Sequence, residues 1–139
     1  MAHIYQFRLA NRLSEITRVH NEVEELPLPP RTMFNTNLVL DELLTNIIRY
    51  GLPVDEENHI HVRLELHQEH LDILIEDDGI EFNPLQAPEP DLDMPLEQRP
   101  IGGLGIFIVR KLASHMHYER EGTTNRLAVQ MEMNELEAT

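Results

Sequence analysis

Between residues 60 and 66 every second side chain is apolar. Ile60, Val62, Leu64 and Leu66 alternate with His61, Arg63 and Glu65. Side chains of a strand point to opposite faces in turn, so the pattern predicts a strand with one dry face and one wet one. Gln68-Glu69 reads as a turn, and Leu71, Ile73 and Ile75 resume the alternation, with Leu74 adding apolar character on the second side. Together these make a hairpin. Its dry face has to be covered by another layer.

Helical segments supply that layer. Leu40, Leu43, Leu44, Ile47 and Ile48 follow the i, i+3, i+4, i+7, i+8 stripe, which predicts a helix from about Thr32 to Tyr50. Gly51 stands at the position of a C-terminal glycine cap and Pro53 blocks continuation. An earlier helix is capped by Asn11, carries Leu13, Ile16, His20, Val23 and Leu26 at helical spacing, and is ended by Pro27, Pro29 and Pro30. His3, Tyr5, Phe7 and Leu9 alternate before it, interrupted by Ile4, as a first strand. A third helix takes Ile106, Val109, Leu112 and Ala113. His117 to Glu121 reads as a strand, Gly122-Thr123-Thr124-Asn125 as a turn, and Leu127, Val129, Met131 and Met133 as a last strand.

Residues 82–102 have no period. Five of the nine prolines lie between Phe82 and Pro100, with Glu89, Asp91, Asp93 and Glu97. Aperiodic stretches of this length in a small domain are commonly lids. The tail 134–139 is expected to fray. The order β-α-α-β-β-lid-α-β-β predicts an α+β fold, a two-layer α/β sandwich with helices on one face of the sheet, and a single domain over 1–139.

The formal charge of -14, from 25 acidic and 11 basic residues, argues against nucleic acid and anionic membranes as partners. No stretch approaches the roughly 18 apolar residues of a membrane span. The first residues carry no leader-like run, and there is no cysteine. The expectation is a soluble cytoplasmic protein.

Three short patches carry chemistry. Glu42 and Asn46 lie four apart on the helix and so share a face. That face is turned roughly 200° to 240° from the apolar stripe at about 100° per residue. A carboxamide oxygen suits Mg²⁺, and a carboxylate one turn away can accept a proton from an attacking hydroxyl. Asp77-Asp78-Gly79 ends a strand. A carboxylate only accepts hydrogen bonds, so Asp77 suits the exocyclic amine of adenine and repels the carbonyl of guanine. Gly79 leaves room for a base to come close. Gly102-Gly103-Leu104-Gly105 opens a helix, where backbone N–H groups favour phosphate oxygens. The eight histidines lack a cysteine or a His-x-x-x-His pair. His59, His61 and His67 therefore read as polar-face residues and not as a zinc site.

In this order the patches resemble those of the GHKL ATPase superfamily, to which histidine kinases, gyrase, Hsp90 and MutL belong. Glu42-x-x-x-Asn46 is similar to the N box, Asp77-x-Gly79 to the G1 box, and Gly103-Leu104-Gly105 to the G2 box. The runs from Asp77 to Pro84 and from Gly102 to Leu112, with Asn125-Arg126-Leu127, are similar to stand-alone bacterial anti-sigma factor serine/threonine kinases. The resemblance implies a Bergerat ATP-binding fold with a mixed, mostly antiparallel sheet and a flexible ATP lid. It implies Mg²⁺ on Asn46, adenine on Asp77 and Gly79, phosphates on Gly102, Gly103, Leu104 and Gly105, and Glu42 as general base. Tyr50, Arg99 and Thr124 join the ATP-binding set on the same ground. The implied partners are a STAS-domain anti-sigma antagonist that accepts the phosphate, a sigma factor or other regulatory protein, and a second copy in a homodimer. A nucleotide-gated partner-binding regulator and a histidine-kinase-like ATPase subunit are the alternatives. Two positions depart from the pattern. Glu81 stands where the broad G1 pattern has a second glycine, and Tyr50 where the kinase branch often has histidine.

Overall fold

The alternation of residues 60–66 becomes β2 (His59–Leu66), which pairs antiparallel with β3 (His70–Asp77) in the register Leu64↔Ile73. A computed structural model of the protein describes residues 2–52, 58–86, 93 and 103–133. The expected lid, with Arg99 and Gly102, falls mostly outside the described residues, as does the tail 134–139. The other strands are β1 (His3–Ala10), β4 (His115–Glu121) and β5 (Thr124–Glu132). They form one five-stranded sheet in the order β1-β2-β3-β5-β4. Among the described residues every pairing is antiparallel, the limiting case of the mixed, mostly antiparallel sheet expected.

Three helices cover one face: α1 (Ser14–Glu24), α2 (Pro30–Asn46) and α3 (Gly103–Leu112). Ile60, Val62 and Leu64 of β2, Leu71, Ile73 and Ile75 of β3, and Leu127, Val129 and Met131 of β5 are buried against them. From α1 come Ile16, Val19 and Val23; from α2, Val39, Leu40, Leu43 and Leu44; from α3, Ile106 and Val109. The opposite face of β2 carries the exposed His61 and Arg63. This is the two-layer α/β sandwich that the two periodicities predict. No helix among the described residues is long and apolar enough to cross a membrane.

Helix boundaries differ from expectation at proline and glycine. Pro30 opens α2 instead of closing the helix before it, because a first-turn proline gives up an N–H that has no partner there anyway. The α-helical part stops at Asn46, and Ile47–Gly51 winds on as a π-helical turn. Asn11 does not cap α1; Leu13 is the N-cap residue and its side chain makes no capping bond. Gly122, at φ 60°, turns the chain between β4 and β5.

Leu64 is fully buried in the centre of the dry face. Leu64→Ala is expected to cost about 2–5 kcal/mol, and His61→Ala on the wet face no more than about 0.5. Denaturant unfolding should show the first as a lower midpoint with an unchanged slope.

Candidate functional site

The sheet's dry face ends in two polar residues. Asp77 closes β3 and Asn125 is the second residue of β5, and the two are directly paired across the ladder. By strand parity they continue the rows Leu71-Ile73-Ile75 and Leu127-Val129-Met131. Both are buried, at 5% and 4% exposure. A buried carboxylate is costly unless hydrogen-bonded. Asp77 Oδ1 accepts from the Gly79 N–H at 2.8 Å and from Asn125 Nδ2 at 3.1 Å.

Asn125 organises the loop after β3. Its Nδ2 also donates to the Ile80 carbonyl at 2.7 Å. Its Oδ1 accepts from Tyr118 Oη at 2.5 Å, Arg120 Nη1 at 3.1 Å and the Phe82 N–H at 3.4 Å. Arg120 Nη1 reaches the Gly79 carbonyl at 2.7 Å as well. Three residues of the β4–β5 hairpin thus hold residues 79–82 in place.

Burial pushes the Asp77 carboxyl pKa up; the Asn125 and Gly79 bonds oppose it, Asp78 adds to it and Arg120 opposes it. Beside Asp77 lies a narrow cleft of about 10 Å³, the size of one water, walled by Leu43, Ile47, Phe82, Pro84 and Tyr118 among others. A mostly apolar wall with one fixed carboxylate suits a flat heteroaromatic ring that offers a donor.

Two glycines make close approaches to α2 and the turn that follows it. A Cβ on Gly79 would overlap the Gly51 carbonyl oxygen and lie 2.9 Å from both Asp77 Oδ1 and Leu52 Cδ2. The Ile80 N–H donates to that same carbonyl at 2.9 Å. Only glycine lets the strand end seat on the π-helical turn that leaves α2. A Cβ on Gly105 would overlap the Glu42 carboxylate, so the first turn of α3 lies directly on the α2 carboxylate.

The N–H groups of a helix start and a general-base candidate therefore share one spot. Burial raises the Glu42 pKa, with Asp41 adding to it. Asn46 points off the apolar stripe and is nevertheless buried, at 8% exposure. The wheel reads only the face that meets the core, and α2 is covered on a second side, as the Glu42–Gly105 contact shows.

The remaining predicted residues fall less centrally. Gly103 and Leu104 open α3. Tyr50 lies in the π-helical turn and is half exposed. Thr124 donates through Oγ1 to Asp78 Oδ1 at 2.8 Å and so holds the outer carboxylate of the pair, not Asp77. Arg110 of α3 donates to the Leu85 carbonyl, tying that helix to the 3₁₀ turn Pro84–Gln86 at the start of the expected lid.

Sequence reasoning missed Tyr118, Arg120 and the role of Asn125. The signal for Asn125 was its parity, a polar residue where the β5 alternation calls for an apolar one.

Folded Asp77 holds its proton to higher pH than the unfolded chain does. Its contribution to stability is present below the ordinary carboxylate range and is lost as pH rises through the raised value. Asp77→Asn keeps an acceptor for Gly79 and removes the buried charge. The variant should melt at or above the wild-type temperature at pH 7, with the gap closing as pH falls. Thermal melts of both proteins across the acid range would show this.

The profile of a family described as Histidine kinase-like ATPase domain matches residues 6–131. Among characterised relatives, a serine/threonine-protein kinase of Bordetella bronchiseptica, BtrW, is 28% identical over 99 residues, 71% of this chain and 70% of that protein. A serine-protein kinase of Bacillus mycoides, RsbW, is 26% identical over 84 residues, 58% of this chain and 52% of that one. The chain thus spans only about half of the second relative.

Solved structures show the same fold. The histidine kinase domain of a blue-light activated histidine kinase from Erythrobacter litoralis superposes with a TM-score of 0.54 at 18% identity, over 86% of this chain and 58% of that one. The histidine kinase AdeS of Acinetobacter baumannii gives 0.51 at 16%, over 96% and 68%.

Proposed function

The chain belongs to the histidine kinase-like ATPase domain family, and on that premise we propose that it is a Mg-ATP-dependent protein serine/threonine kinase of the anti-sigma-factor type. Its phosphoacceptor is a STAS-domain antagonist, and its second partner is a sigma factor or another regulatory protein held by partner switching. Two kinase-named relatives at 26–28% identity support the class of activity. The observation that carries the reading is the contact between Glu42 and Gly105. It places a carboxylate of raised proton affinity against the start of the helix that would receive phosphates.

The residues fit the nucleotide. Asp77 Oδ1 is engaged by Gly79 and Asn125, which orients the carboxylate toward an adenine amine through its other oxygen. The apolar walls of the narrow cleft beside Asp77 would part to admit the base. The carboxamide of Asn46 is a hard oxygen donor for Mg²⁺, and Gly102, Gly103, Leu104 and Gly105 offer backbone N–H groups to phosphate. Tyr50, Arg99 and Thr124 complete the proposed set, with Thr124 acting through Asp78. Bound Mg-ATP would supply the phosphoryl group and much of the charge neutralisation that phosphoryl transfer requires. Glu42 takes the proton of the incoming serine or threonine hydroxyl, and its raised pKa brings it nearer to that task at neutral pH. The stretch 82–102 is the proposed lid, anchored at its start by the Arg110–Leu85 bond.

The test is incubation of the chain with labelled ATP and a STAS-domain protein from the same cell. Acid-stable phosphate on serine or threonine is expected. Glu42→Ala should lower the rate at least about a hundredfold while ATP still binds. Equal phosphorylation by both proteins would remove Glu42 from the mechanism. Tight ATP binding with no phosphoprotein would mean a nucleotide-gated regulator, and acid-labile phosphate a histidine-phosphorylating subunit.

A further inference from the structure

The hairpin β2–β3 carries a second cluster, at the end away from Asp77. Its turn closes with the His67 N–H donating to the His70 carbonyl at 3.0 Å. Glu65 pairs with Asp72 across the ladder, and the next facing positions outward on that side are His67 and His70. Leu64, Leu66, Leu71 and Ile73 take the buried side. Period two therefore sends Glu65, His67, His70 and Asp72 to the same wet side of the hairpin tip. The two imidazoles stack at 4.3 Å between centroids and 18° between planes. Both present Nε2 to one oxygen, Asp72 Oδ2, at 3.2 Å from His67 and 3.5 Å from His70.

We propose that His67, His70 and Asp72 form a binding site for a late first-row divalent cation such as Zn²⁺, with water completing the coordination. One ligand atom from each of the three lies within 4.8 Å of the other two. Ligand atoms about 2.0–2.1 Å from a tetrahedral metal stand about 3.3 Å from each other. The two Nε2–Oδ2 distances bracket that value.

The chemistry of the arrangement points the same way. Two imidazole nitrogens and a carboxylate oxygen are gathered at the hairpin tip, and a rotation of the stacked rings out of parallel would aim both Nε2 atoms at a cation beside Asp72 Oδ2. Imidazole donors select zinc, copper, nickel or cobalt over magnesium. Glu65 adds negative charge at the rim: its Oε1 lies 3.3 Å from His67 Nε2, and its Oε2 lies 3.6 Å from Arg63 Nη2. From Asp72 to Asp77 the strand runs roughly 17 Å at about 3.4 Å per residue, so this cation is separate from any Mg²⁺ at the nucleotide cleft. Its effect would be to clamp the hairpin turn. Neither a cysteine nor a helical histidine pair takes part. A two-residue turn brings the histidines together instead.

Zn²⁺ alone, titrated calorimetrically into the intact chain without nucleotide and in excess Mg²⁺, tests the site. One Zn²⁺ per chain is expected. Affinity should fall at least about tenfold in His67→Ala, His70→Ala and Asp72→Asn, and stay unchanged in His117→Ala on β4. His67→Gln and His70→Gln keep the bulk at the turn and should lose the same affinity if the alanine variants fold poorly. Co²⁺ should give a visible ligand-field band in the wild type that is absent from His70→Gln. No Zn²⁺ bound by the wild type, or binding that survives His67→Gln and His70→Gln combined, would overturn the assignment.

Discussion

A carboxylate buried at the end of an apolar sheet face sets the terms for everything around it. Asp77 occupies a place that strand parity assigns to a hydrophobic residue, and it is 5% exposed. Desolvation raises its pKa against the pull of two hydrogen bonds. A protein that needed only stability would have a leucine there, because a buried charge without a full partner set is a net cost. Asn125, Tyr118 and Arg120 are drawn in to support it. The residue that weakens the fold is also the one that can read a base. Strain of this kind is typical of binding sites.

The same site depends on close approaches at two glycines, one against backbone and one against a side chain. Gly79 sets the end of β3 against the turn leaving α2, and Gly105 sets the start of α3 against Glu42. These two contacts tie the end of β3 and the start of α3 to α2 and the turn that follows it. They also address the acidic character of the protein. With a formal charge of -14, an anionic ligand needs its positive potential from local sources, and a helix start supplies N–H dipoles without a basic side chain.

Much of the fold was legible because the two hydrophobic periods are clean. Ile60 to Leu66 and Leu71 to Ile75 declared a one-sided hairpin, and Leu40 to Ile48 a helix to cover it. The motif residues Glu42, Asn46, Asp77 and Gly79 were likewise visible as types at telling spacings. What remained hidden was relational. A helical wheel cannot show that Asn46 is buried, because the cover comes from elements distant in the chain. Nor can it foresee the π-helical turn that follows. Asn125 looked like the end of a turn; its importance follows from its register opposite Asp77, which appears only when β3 and β5 pair. His67 and His70 looked like scattered surface histidines until the turn between them closed.

The central claim is that Asp77, fixed by Gly79 and Asn125, selects adenine through its exocyclic amine. Competition of ATP and GTP for the intact chain, read by calorimetry at one Mg²⁺ concentration, tests this most directly. The account predicts that ATP binds at least about a hundredfold more tightly than GTP, since guanine would set a carbonyl oxygen against a buried carboxylate. Equal affinity for the two nucleotides, or preference for GTP, would contradict it.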